Sequence, residues 1–257
     1  MKTIVFDIKA LANDTLDQLD DEMVELLFQL MSNNNVAILS DYCWKQIQKP
    51  VISKLESCDS SALNNLYVLT SSGACMYQVW NKYGWVPVYQ NKLERTDTEI
   101  ITKTLEQLIN SGRFEVPNKI WGKQIDVTES NISLAWIGQK APQSERDNWD
   151  PDKRKRQSLI YTIKDILSEY ELSISGKINV NISLNGINQK YGIDELMKKL
   201  HISKDDVVYL AADIVKGGYN YFAVEMGLDY IQVKDAEDVK QYIRTFLDSS
   251  SLVSKTG

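Results

Sequence analysis

Histidine is almost absent from this chain of 257 residues: the only one, His201, lies in Lys199-Leu200-His201-Ile202-Ser203 at a predicted helix end. Histidine triads and His-based zinc sites are therefore set aside, and His201 itself reads as a capping or surface residue. Cysteine is scarce as well. Cys43, Cys58 and Cys75 are odd in number and lack paired metal-type spacing, which suits free thiols in a reducing compartment. No run approaches the ~20 apolar residues of a membrane span, and the N-terminus lacks a basic region followed by an apolar stretch and a cleavage site. A soluble, cytoplasmic protein without a membrane partner is expected. Basic excess is missing too: 29 Lys and Arg face 35 Asp and Glu, a net charge of −6. A nucleic-acid surface would need the opposite field. There is no internal repeat and no low-complexity tract.

What is present is globular. A hydrophobic fraction of 43% and a charged fraction of 25% supply an ordinary core, and the length suggests two subdomains or one large α/β unit. Thr3 to Phe6 is a short β-branched and aromatic run that reads as a buried strand delivering Asp7 to its C-terminal end. A helix over Asp20 to Met31 and a strand over Val36 to Leu39, ending at Ser40, complete a β-α-β start to a parallel sheet. Chemistry in such sheets sits at the C-terminal strand ends. Ser40 or Asp41 equally suits the cap of the next predicted helix, Cys43 to Leu55, interrupted near Pro50.

Further on, Leu66 to Leu69 predicts a strand, Thr70 to Gly73 a turn, and Cys75 to Tyr89 a hairpin turning at Lys82-Tyr83-Gly84. A middle segment alternates a helix (Asp97 to Asn110), strands (Lys123 to Asp126, Asn131 to Ile137), a helix (Asp152 to Tyr170) and one or two strands (Ile174 to Ser183). The closing segment predicts a helix over Tyr191 to Leu200, a buried strand over Val207 to Ala211 and a helix over Asn220 to Met226 ended by Gly227. An edge strand (Tyr230 to Val233), a last helix (Ala236 to Leu247) and a disordered polar tail over 248–257 follow.

Several stretches carry a resemblance. Asp7-Ile8-Lys9-Ala10-Leu11 stands where the haloacid dehalogenase superfamily has Asp-x-Asp-Gly-Thr. Trp121-Gly122-Lys123-Gln124-Ile125, Ile137-Gly138-Gln139-Lys140-Ala141-Pro142 and Asn148-Trp149-Asp150-Pro151-Asp152 look like the cap of its bacterial phosphomannomutase-like members. Lys190-Tyr191-Gly192-Ile193 looks like the third motif, and Gly217-Gly218-Tyr219-Asn220-Tyr221 like the segment after the fourth. The chain thus resembles the phosphomannomutase-like branch with a type IIB cap. That implies an α/β fold: a Rossmann-like core with a parallel sheet and helices on both faces, built from 1–84 and 186–247, with an inserted α+β cap over 85–185.

The resemblance also implies roles. Asp7 takes the nucleophile position, Ser40 the phosphate-binding second motif and Lys190 the third motif. Lys9 replaces the general acid and base, and an ammonium keeps its proton near neutral pH unless strongly desolvated. Ala211-Ala212 stands where the metal-binding fourth motif should carry an Asp; Asp213 comes one residue late, and Asn220 replaces another Asp. Asp7 and Asp213 make a poor magnesium cage. In the cap, Arg146 keeps one arginine position, Gln139 and Thr128 occupy others, and Asn181 replaces a strand acid.

These departures imply a catalytically inactive pseudoenzyme needing no cofactor. It would bind phosphate or a sugar phosphate, with Lys9, Lys190 and the amides near Gly217 and Gly218 as counter-charge, or serve as a scaffold. Lys9 pairing with Asp7 merely to fill the old site is an equal alternative. The competing reading is an active Mg2+-dependent sugar-phosphate phosphatase or phosphomutase using Asp7. A third is a pure interaction protein, given six Trp and thirteen Tyr, and a cap-mediated homodimer is the partner expectation.

Overall fold

A computed structural model describes residues 2–12, 16–57, 61–80 and 83–253, with side chains as far as 249. Cys58, Lys82 and tail residues 254–257 lie outside the described residues. The chain divides into two compact units, Met1–Gln90 with Gln189–Gly257, and Asn91–Asn188.

The first unit is built on buried runs. Strands β1 (Thr3–Asp7), β2 (Asn35–Leu39) and β3 (Leu66–Thr70) are buried at every residue, as parallel strands covered on both faces must be. Alternation sorts their side chains: Ile4, Phe6, Val36, Ile38, Leu66 and Val68 enter one apolar cluster, while Val5, Ala37, Leu39, Tyr67 and Leu69 enter another. Two helices separate β1 from β2: α1 (Ile8–Ala12), which apolar periodicity did not reveal, and α2 (Asp21–Met31). The Asp20 carboxylate accepts the Met23 N–H at 2.8 Å to cap α2. Between β2 and β3 the expected helix breaks into α3 (Trp44–Ile47), a π-helical turn over Gln48–Ile52 and α4 (Ser53–Leu55). Pro50, lacking an N–H and clashing with the preceding turn, sits in that widened stretch.

Strands β4 (Cys75–Val79) and β5 (Trp85–Gln90) form the hairpin and pair antiparallel onto β3. Because β5 completes this sheet, the second unit begins at Asn91 rather than at Trp85.

That second unit holds α5 (Arg95–Asn110), β6 (Ile125–Val127), β7 (Asn131–Ala135), α6 (Gln143–Trp149), α7 (Arg154–Ile163), β8 (Tyr170–Ser175) and β9 (Asn179–Leu184). Its antiparallel sheet runs β6-β7-β9-β8. Ile101, Leu105 and Leu108 of α5 and Leu159 and Ile163 of α7 close one apolar cluster with Ile132, Leu134, Val180 and Ile182 of the sheet. The helix expected over Asp152 to Tyr170 is shorter, and its last residue opens β8 instead.

The chain returns to the first unit with α8 (Gln189–Leu200), β10 (Val207–Ala211), a 3₁₀ turn over Tyr219–Tyr221, α9 (Phe222–Met226), edge strand β11 (Asp229–Gln232) and α10 (Ala236–Val253). The seven-stranded order is β11-β10-β1-β2-β3-β4-β5, parallel from β11 through β3. The last helix continues to Val253, through residues expected to be disordered. Its inner face carries Lys240, which ion-pairs with Asp20 at 2.9 Å and Glu22 at 3.0 Å. Among the described residues no helix is long and apolar enough to cross a membrane.

Candidate active site

The C-terminal ends of β1 and β2 bring opposite charges together. Parallel register sets Asp7 beside Leu39, so the residues that follow each, Lys9 on α1 and Asp41 after Ser40, emerge side by side. Lys9 Nζ lies 2.8 Å from Asp41 Oδ2, with side chains only 13% and 7% exposed. The ammonium also lies 5.8 Å from the Tyr42 ring centroid and 5.6 Å from that of Tyr219. Burial works against its charge, yet Asp41, then Asp7, outweigh burial and hold its pKa above the ordinary lysine value. The sequence alternative that paired Lys9 with Asp7 is corrected: the direct partner is Asp41.

Asp7 itself is 2% exposed. Its Oδ2 accepts Asn220 Nδ2 at 3.0 Å, and its Oδ1 faces the Lys9 N–H at 3.5 Å. Asn220 is held in turn by the Tyr209 hydroxyl, which donates to Oδ1 at 2.5 Å. Burial pushes the Asp7 carboxyl up to about 6, against the lowering influence of Lys9; Asp41 raises it further and the Asn220 hydrogen bond lowers it. Asp7 is thus a carboxyl held above the ordinary carboxylate range, chiefly by burial.

The turn after β3 closes the site. Ser71 and Ser72 both adopt left-handed backbone, φ 52° and 58°, a conformation that costs a non-glycine residue about 1–2 kcal/mol. Their amides are held by the β2 tip: Ser72 N–H donates to Ser40 O at 2.8 Å, and Ser71 N–H to Tyr42 O at 2.9 Å. Tyr219 spans the gap, donating to Ser72 Oγ at 3.3 Å and hydrogen-bonded to Gln189. Its phenol is raised well above the ordinary value, chiefly by burial. Ser40, fully buried, accepts the Tyr42 N–H on its hydroxyl at 3.0 Å. The hydroxyl therefore organises a turn, while the following helix starts only at Trp44.

Other residues named from the sequence have partners of their own. Lys190 forms an ion pair with Glu225 at 2.5 Å, both about half exposed, so it joins α8 to α9. Asp213 is exposed. Gly218 donates its N–H to Val215 O at 2.8 Å, closing a turn in which Gly217 is exposed at φ 73°. The expected anion nest at these two glycines loses one of its amides to that turn.

In the second unit Gln139 and Asn181 meet at Ser133, and Arg146 holds the backbone of Gln139. Asn181 and Ser133 are register partners on β9 and β7, and Gln139 Nε2 donates to Ser133 Oγ at 3.1 Å. Arg146 turns its guanidinium onto the backbone, donating to Ala141 O and Gln139 O, both at 2.7 Å. It braces the loop after β7 with the fork that would otherwise grip an anion. Thr128 closes the β6–β7 turn through Asn131.

A family model described as eukaryotic phosphomannomutase matches residues 24–249. The chain belongs to the phosphomannomutase family. Solved structures place it more broadly in the haloacid dehalogenase fold. The IMP-bound, N-terminally truncated Plasmodium falciparum IMP-nucleotidase aligns with TM-score 0.67 at 18% identity, over 96% of this chain and 68% of that one. The ATP-bound form of the same enzyme gives 0.68 at 16%, over 96% and 60%. A haloacid dehalogenase-like hydrolase from Bacteroides thetaiotaomicron gives 0.59 at 13%, over 95% and 99%. No curated protein matches the chain in sequence.

Phosphomannomutase-family membership implies a magnesium ion, and the donor set tests the fit. Magnesium requires near-octahedral oxygen ligands including one or two carboxylates. Both Asp7 oxygens face amide N–H groups, Asp41 is held on the Lys9 ammonium, and the β10 tip offers Ala211 and Ala212 with Asp213 exposed. Among the described residues no group of three or more His, Cys, Asp or Glu could hold an ion. The described residues do not fit the metal. The matched span also begins after Asp7 and Lys9. Reading the sequence gave Tyr209 and Tyr219 no role at the site and did not pair Asp41 with Lys9. The available signal was the pair of opposite charges, Lys9 and Asp41, just past adjacent strand tips.

Proposed function

We propose that this phosphomannomutase-family protein has exchanged phosphoryl transfer for a closed polar cluster at the old catalytic strand tips. The observation that carries this is the shielded 2.8 Å ion pair of Lys9 with Asp41, beside Asp7. Phosphoryl transfer depends on neutralising the transferred group's charge and on moving a proton at the attacking and leaving oxygens. Lys9, held protonated by two carboxylates, cannot shuttle that proton. Its single charge is already matched by Asp41, and once Asp7 ionises the cluster carries net negative charge, which repels a phosphate.

The family and the solved neighbours carrying IMP or ATP make phosphate-bearing molecules the ligand class to try, with the phosphate held away from the Asp7 and Asp41 carboxylates and without turnover. The test is hydrolysis of p-nitrophenyl phosphate and of mannose and glucose phosphates with excess Mg2+, in wild type and Asp7→Asn. Equal, background rates are expected. Magnesium-dependent turnover lost in Asp7→Asn would instead establish the active phosphatase or phosphomutase reading. Calorimetry with the same sugar phosphates reports binding separately from turnover.

A further inference from the structure

The second unit contains a cavity of about 640 Å³ whose lining includes Phe114, Trp121, Trp136 and Trp149. Its size lies within the ~300–1,000 Å³ range of small-molecule sites. The aromatic residues are held in place by contacts internal to this unit. Phe114 packs edge-on against Trp136 with centroids 5.5 Å apart, and the Trp136 indole N–H donates to Glu115 O at 2.9 Å. Trp121 is pinned through its backbone, donating to Ile137 O at 2.9 Å and accepting the Lys140 N–H at 2.8 Å. Gly138 makes that approach possible. At φ 89° a Cβ there would lie 2.4 Å from Trp121 O, so only glycine admits this backbone approach.

Two cations flank the rings. Lys119 Nζ lies 3.6 Å from the Trp121 centroid and Lys155 Nζ 5.7 Å from that of Trp149. Among the described residues neither ammonium has a carboxylate within ion-pair distance, unlike Arg154, also in the lining, which pairs with Asp152 at 3.2 Å. The first amides of α7 are already capped by Asp150 and Asp152, so the positive potential comes from side chains. Glu115 and Glu145 also line the cavity, but with Lys119, Arg154 and Lys155 the cations there outnumber the acids three to two, and together with the indole faces they complement one ligand chemistry.

We propose that this cavity binds a small molecule joining a planar aromatic ring to an anionic group, the ring stacking on Trp121 or Trp149 and the anion meeting Lys119 and Lys155. Nucleoside phosphates and aromatic carboxylates share that chemistry. The site lies wholly within Asn91–Asn188 and does not depend on the reading of Asp7 and Lys9.

Half of the six tryptophans line the cavity, so intrinsic fluorescence of the full chain reports on it directly. Titration with AMP, indole-3-acetate, adenosine and inorganic phosphate separates ring from charge and one source from the other. Saturable quenching by AMP, by indole-3-acetate or by both is expected, at least about tenfold tighter than by adenosine or phosphate. Trp121→Leu and Trp149→Leu should each weaken it about fivefold or more. Lys119→Gln with Lys155→Gln, surface changes that spare the fold if the tryptophan variants do not, should abolish the preference for the charged ligand. No saturation at millimolar ligand overturns the proposal. Equal affinity for adenosine, indifference to the lysine changes, or loss of binding in Lys9→Ala does the same.

Discussion

Two buried ion pairs, one in each unit, show what a structural charge and a site charge look like. Arg156 and Asp150 are 2% and 0% exposed, and every part of the guanidinium fork is used. It donates to Asp150 Oδ2 at 2.8 Å, to Gly176 O at 2.7 Å and to Asp150 O at 3.2 Å, while Asp150 also accepts the Lys155 and Arg156 amides. One charge meets one charge, and the leftover donors meet carbonyls that need them. Lys9 and Asp41 are slightly more exposed, meet at 2.8 Å, and stand next to a third ionisable group, Asp7. The first arrangement locks α7 to the sheet of its unit. Among the described residues the second sets two carboxylates, Asp7 and Asp41, against one ammonium, so its balance depends on pH.

The largest effect that would sharpen this contrast is expected from Asp150→Ala, which strands a buried guanidinium. A loss of about 3–5 kcal/mol is expected in urea unfolding of the second unit's transition. A loss below about 1 kcal/mol would remove Arg156 and Asp150 as the structural reference.

Asp7 gives the next largest effect. Its folded pKa of about 6 exceeds the ordinary 3.8, so the folded state holds the proton more tightly. The resulting stabilisation is full below pH ~3.8 and is lost as pH rises through 6, about 3 kcal/mol in all. Asp20, Glu22 and Asp206, lowered by hydrogen bonds to Lys240 or to Ser203, act in the opposite direction, so total stability mixes both signs. The difference between wild type and Asp7→Asn, followed from pH 4 to 7, isolates the site. The variant's relative stability should climb with pH, and a flat difference would contradict the burial argument.

Lys9→Met removes the cation between two carboxylates, which then hold their protons to higher pH. A loss of about 1–3 kcal/mol at pH 7, shrinking towards pH 5, is expected from equilibrium denaturation. A pH-independent loss would make Lys9 a packing residue. Lys190→Met should do least, below about 1 kcal/mol, because its pair with Glu225 is half exposed and screened. A larger change would give Lys190 a role beyond its pair with Glu225.

Legibility in the sequence followed burial. Strands β1, β2, β3 and β10 were readable because strands buried on both faces are nearly continuous apolar runs. Helix α6 was not, since none of its residues is buried and no apolar stripe marks it. Strand β8 was masked because Glu171 and Ser173 alternate with Leu172 and Ile174 directly after a helical pattern. The hairpin was seen, but only pairing to β4 shows that Trp85–Gln90 belongs to the first unit. At the site, Asp7 and Lys9 were legible as neighbours in the chain. The motif resemblance also drew in Lys190, which the placement of α8 against α9 turned towards Glu225.

The sequence by itself determined that Asp7 would end a buried strand, that Lys9 would stand where a carboxylate is expected, and that no acid would follow Leu210 at the β10 tip. Those are facts of residue type and of apolar runs, and local physics suffices for them. Which carboxylate Lys9 would meet was decided by the tertiary structure, because parallel register brings Asp41 beside it across a separation of thirty-two residues. Whether Asp7 would sit charged or protonated near neutrality was decided there too, since that balance depends on burial and on Asn220, contributed from the far end of the chain.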